Sequence, residues 1–173
     1  MKHMTHSTDE QATRLRLPLE WDTGVPLPVL LQSERRTFLA FEQPGEAEPL
    51  SDGVGIVEWH GCWGAVLSPL NDEVLHGHRL WTRGLKDVGY YRAAEVSESA
   101  WIRELERVSS FHREFRREHF ADLRHFIIGF HDSTFECVAR SFTCYAAAGS
   151  LQAVVLTIAG LLYSAEPVPF VRL

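Results

Sequence analysis

The stretch HFIIGFHDSTFECVAR, His125 to Arg140, constrains the fold more than any other part of the chain. Its first half is apolar and rich in β-branched and aromatic residues, the composition of a central, buried strand. It then turns polar at His131, Asp132 and Ser133, groups that carry acid–base, nucleophilic or metal chemistry. In strand register His131, Ser133, Phe135 and Cys137 take one side, and Asp132, Thr134 and Glu136 the other. A Ser–His–Asp triad drawn from these neighbours is therefore geometrically poor, and no nucleophile elbow surrounds Ser133. The polar strand end keeps His131 and Asp132 as proton-transfer or ligand candidates.

Other segments supply further elements. RRTFLAFE alternates, with Phe38 and Ala40 on one face and Leu39 and Phe41 on the other. Val54 to Ser68 is a second strand region, whose Gly61 and Gly64 mark a bulge or a close backbone approach. Ser99 is placed to cap a helix with Trp101, Leu105, Val108 and His112 along one face. The run from Phe111 to Arg124 mixes both charge signs and reads as a solvated helical face. Tyr145 to Tyr163 carries no charge, but Gly149 and Ser150 interrupt it and no Lys/Arg cluster flanks it. It predicts a buried helix capped by Ser150, packing Leu151, Val154, Val155, Ile158 and Leu162, rather than a membrane anchor.

Residues 1–16 are polar without an apolar signal core and read as a disordered tail; residues 17–173 read as one globular domain. Strands come first, followed by helix, strand and helix. That order predicts an α+β fold, a mostly antiparallel sheet with helices packed on one face.

Composition narrows the function classes. With 173 residues, 45% hydrophobic and 23% charged, the chain is long enough to bury its own core. A net charge of −6 argues against a nucleic-acid or anionic-membrane surface. It is compatible with a basic protein partner or a small molecule. The cysteines, Cys62, Cys137 and Cys144, are odd in number and not closely spaced, so they read as reduced thiols in a cytoplasm.

Two further clusters hold reactive groups. In EWHGC, strand alternation puts Glu58, His60 and Cys62 on one side, with His60 and Cys62 about 7 Å apart. That spacing suits shared ligation of a divalent transition metal such as zinc better than a direct Cys–His hydrogen bond. In NDEVLHGH, His76 and His78 flank one glycine and can offer two imidazoles to the same ion. The alternative for each cluster is ordinary architecture: a half-buried strand edge, and a loop with turn chemistry at Asn71 and Asp72.

The segments WHGC (59–62), PLNDEVLHGHRLW (69–81), SAWIRELE (99–106) and LRHFIIGFHDSTFECVA (123–139) together resemble a family of uncharacterised bacterial proteins. The resemblance implies a bacterial cytoplasmic protein and brings no catalytic residues with it. Two functions follow from the residues themselves. The first is a small acidic binding or regulatory protein that neutralises a basic partner, as immunity proteins do. The alternative is a small metal-dependent or His/Asp acid–base enzyme, with Glu58, His131 and Asp132 catalytic. Its pocket would be built from the 58–62 strand, the 71–78 loop and the 131–137 strand end.

Overall fold

Alternation in the strands dictates layers. The computed structural model describes residues 9–44 and 53–173, and its strands form two five-stranded antiparallel sheets. The first sheet runs in the order β1 (Gln11–Leu15), β6 (Ala93–Ser97), β7 (Arg124–Gly129), β8 (Thr134–Ala139), β5 (Gly64–Ser68). The second runs β10 (Val171–Arg172), β9 (Ser141–Ala148), β4 (Gly53–His60), β3 (Thr37–Glu42), β2 (Val29–Gln32). Leu39, Phe41, Val57 and Trp59 of the second sheet meet Phe126, Ile128, Phe135 and Cys137 of the first in the main core. Trp59 anchors it, with its ring centroid 4.9 Å from that of Phe126 and 5.5 Å from that of Phe135. Burying side chains of this size contributes about 1.5–3 kcal/mol each.

The opposite face of each sheet is covered separately. Helix α3 (Leu151–Leu161) lays Leu151, Val154 and Ile158 over Phe38, Ala40, Val54 and Ile56. An irregular helical segment closes the outer face of the first sheet. It comprises turns at Leu75–Gly77 and Trp81–Leu85 and the single turn α1 (Lys86–Val88), and it packs Leu75, Leu80, Leu85 and Val88 on Ala12, Ala94, Val96 and Ile127. Helix α2 (Ala100–Ser109) adds Trp101, Ile102 and Leu105 around Phe120, Leu123 and Val138. Gly84 makes the close packing of the irregular segment on β1 possible. At φ +98° it presses against β1 so closely that a Cβ there would lie 2.2 Å from the Ala12 carbonyl oxygen.

The α+β class and the antiparallel pairing are as the sequence predicts. The arrangement has two sheets rather than one, with helices on both outer faces, because the strands of each sheet bury apolar residues on both sides. Residues 11–15, read from the sequence as part of a disordered tail, form a strand. Gln11–Leu15 is an edge strand whose only fully buried side chain is Ala12, a signal too thin to read from hydropathy. Residues 1–8 lie outside the described part. Ser99 and Ser150 cap as predicted, accepting from Ile102 N at 3.2 Å and Ala153 N at 3.3 Å. Along α2 the packed face is Trp101, Ile102 and Leu105; Val108 is 54% exposed and His112 lies beyond the helix. The Phe111–Arg124 run is a series of turns around a short 3-10 helix (Arg117–Phe120) rather than a solvated helical face. No helix among the described residues is long and apolar enough to cross a membrane; Tyr145 to Ala148 belong to β9.

Candidate functional site

At one end of the first sheet, a tight hairpin joins β7 to β8, closed by Phe130 N donating to Ser133 O at 2.8 Å. His131 and Asp132 therefore leave strand register, and His131 Nδ1 comes within 2.9 Å of Asp132 Oδ1. The preceding loop is tied in by Asp72 N, which donates to His131 O at 3.1 Å. Tyr91, held at φ +54°, donates its hydroxyl to Asp72 Oδ2. Its ring lies parallel to the His131 imidazole, with 2° between planes and 6.2 Å between centroids. A non-glycine residue at positive φ carries backbone strain, a feature that concentrates where a side chain must be aimed.

Charge follows from this geometry. The hydrogen bond to Asp132 raises the His131 pKa above its ordinary value, and Asp72 and Glu73 reinforce the effect. The same kind of bond to Asp72 pushes the Tyr91 hydroxyl up to about 12 and holds the Asp72 carboxyl below the usual carboxylate range. Among the described residues, no lysine or arginine forms an ion pair with Asp72, Glu73 or Asp132.

A second cluster sits on the outer face of the same sheet and is organised by Glu136 of β8. His78 Nε2 donates to Glu136 Oε1 at 3.1 Å, and His125 Nε2 to Oε2 at 3.0 Å. Arg79 bridges Glu136 Oε2 at 3.0 Å and Glu10 Oε1 at 2.9 Å. Each imidazole accepts on its other nitrogen, His125 Nδ1 from Ser99 Oγ at 2.8 Å and His78 Nδ1 from Leu80 N at 3.2 Å. Burial alone would raise the Glu136 pKa, but the His125 and His78 hydrogen bonds hold it far below the usual range. The Ser99–His125–Glu136 chain has triad components in an unsuitable order. The serine is on Nδ1, the carboxylate is on Nε2, and the hydroxyl is buried while capping α2. Its chemistry is that of a fully satisfied polar network.

The EWHGC residues part company. Glu58 lies on the α3 side of the second sheet, bonded to Arg36 Nε at 2.9 Å and to the Tyr145 hydroxyl at 3.1 Å. His60 Nε2 pairs with Thr143 Oγ1 at 2.8 Å. Gly61, at φ +58°, ends the strand alternation, so Cys62 turns into the main core instead of sharing a face with Glu58 and His60. Burial pushes its thiol up. His76 is exposed in the turn, while the His78 side chain is directed onto Glu136.

The structure thus gathers His131 and Asp132 at the hairpin end of the first sheet and leaves Glu58 on the second. Among the described residues, no group of three or more His, Cys, Asp or Glu side chains is placed to hold a metal ion, so the predicted ligands His60, Cys62, His76 and His78 do not converge. Sequence reading assigned neither Tyr91, one of a set of aromatics read as core or pocket wall, nor Glu10 to a functional site. Tyr91 lies forty positions from His131, and only the β6–β7 pairing brings the two together. Glu10 falls in the segment read as tail. No family model, curated protein or solved structure matches the chain.

Proposed function

We propose that this chain is a binding protein of the immunity type, which takes a basic protein surface on the hairpin end of its first sheet. The observation that carries the reading is the convergence of Asp72, Glu73 and Asp132 on His131 without a lysine or arginine partner among the described residues. Three carboxylates around one histidine, held by a hairpin, a tethered loop and a strained tyrosine, form a fixed surface of net negative charge, which steers and registers a positive one. The net charge of −6 supports the same partner, and the resemblance to a bacterial family adds a bacterial cytoplasm as its setting. The buried serine–histidine–carboxylate chain supports binding over catalysis, because its hydroxyl is already used as a helix cap.

The test is calorimetric titration of the full chain with an oligo-arginine peptide. Saturable binding that falls at least tenfold in Asp72→Asn/Glu73→Gln/Asp132→Asn supports the reading. Equal losses in a charge-matched control, Glu104→Gln/Glu114→Gln/Glu118→Gln, would reduce the effect to net charge and contradict it.

A further inference from the structure

Beside Tyr91, on its other flank, the chain forms a cleft of about 510 Å³. One wall is the end of β1 and the extended segment that follows it; the other is the entry to β6. Its lining includes apolar residues of the main core or packed against it, among them Leu15, Leu17, Leu19 and Trp21. Its rim carries Arg14, Arg16 and Arg92. Three arginines in the lining of one cleft are unexpected in a chain of net charge −6. Arg14 and Arg16 have no side-chain partner among the described residues, while Arg92 spends one amino group on the Tyr91 carbonyl at 2.9 Å. The acids nearby do not neutralise them. Asp22 is committed to the backbone of Gly24 at 2.6 Å and Val25 at 2.7 Å, which leaves Glu20 as the uncommitted carboxylate of the lining.

The volume is that of a small-molecule site, where such clefts run roughly 300–1,000 Å³ and combine an apolar lining with a few polar groups that fix orientation. Arg14 and Arg16 are two residues apart on extended chain and so project to the same side, and Arg92 lies just before β6, the strand paired with β1 through Leu15 and Ala93. Paired guanidinium forks match the flat face of a carboxylate or the oxygens of a phosphate. The buried Trp21 indole N–H has no hydrogen-bond partner, and its ring packs against Phe41 and Phe130 with centroids 5.8 and 5.6 Å away.

We infer that this cleft binds a small anionic ligand with an apolar body, the carboxylate or phosphate held by Arg14, Arg16 and Arg92 and the body against the apolar part of the lining. The site is distinct from the acidic hairpin end and opposite to it in charge, so it stands or falls independently of the basic-partner reading. Tyr91 belongs to both: it lines the cleft while its hydroxyl holds Asp72.

The probe is anilinonaphthalene sulfonate, followed by fluorescence on the full chain under conditions where near-UV circular dichroism reports a native fold. Saturable one-to-one binding is expected. It should weaken at least tenfold in Arg14→Ala/Arg16→Ala, remain unchanged in the surface control Arg113→Ala/Arg116→Ala, and weaken similarly for the neutral N-phenylnaphthylamine. The Trp21 indole resonance should shift on titration. Naphthoate and naphthyl phosphate, run side by side, identify which anion the arginines prefer. Non-saturable binding, equal affinity in both arginine doubles, or equal affinity for the neutral probe overturns the inference.

Discussion

His125 Nε2 and Glu136 Oε2 are 3.0 Å apart on the outer face of the first sheet, with the imidazole fully buried and the carboxylate shared among His125, His78 and Arg79. This relationship ties β7, β8 and the irregular helical segment into one unit, and Glu10 extends it to the chain before β1. Stability, rather than catalysis, is where its removal should be felt.

Glu136→Ala leaves two imidazoles and a guanidinium without their acceptor, and the expected loss is about 3 kcal/mol in urea unfolding. Ser99→Ala removes only the cap and the Nδ1 partner and should cost about 1 kcal/mol. The Glu136 pKa lies below its ordinary 4.5, so its contribution is complete above that pH and is lost as pH falls below it. An acid-unfolding midpoint that does not move in Glu136→Gln would contradict this role.

His131 should titrate above 6.5, because the Asp132 bond favours its charged form. A raised histidine stabilises below its unfolded pKa, and the effect disappears as pH rises through the folded value. The same step makes the hairpin end more negative. Affinity for oligo-arginine should therefore rise from pH 5.5 to pH 8, and the rise should vanish in His131→Gln. Proton NMR of the imidazole, compared with Asp132→Asn, measures the titration directly.

Tyr91 should ionise near 12, and Asp72→Asn should bring it back toward the ordinary 10. Its neutral form is the one that the fold favours, so the native state binds more protons than the unfolded chain between those values and stability falls as pH rises through them. Ultraviolet difference titration of phenolate reads the shift; unchanged titration in Asp72→Asn would show that the hydroxyl bond is not the cause.

Gly84→Ala should destabilise by about 2–3 kcal/mol, since a Cβ at φ +98° would meet the Ala12 carbonyl 2.2 Å away. The damage should be local to the β1–β6 pairing. Hydrogen exchange at the Ala12 to Leu15 amides should accelerate before the rest of the first sheet does.

What was legible in the sequence had short-range causes. The alternation of Phe38 to Phe41, the serine caps and the β7 core run are properties of neighbouring residues, and all three appear in the structure. Site geometry was less legible, because single backbone events undo a period. Gly61 at positive φ swings Cys62 away from His60, and the hairpin at His131–Asp132 joins two side chains that strand register would separate. Tyr91, Arg14 and Arg16 gain meaning only from tertiary proximity, and no local pattern marks them.

The most direct test of the binding account is chemical-shift mapping of the labelled chain with oligo-arginine. The account predicts perturbations confined to residues 71–73, Tyr91 and the His131–Asp132 hairpin, fading as salt is raised. Perturbations spread evenly over the exposed acids of α2 and the 111–122 turns, or absent from the hairpin, would contradict it.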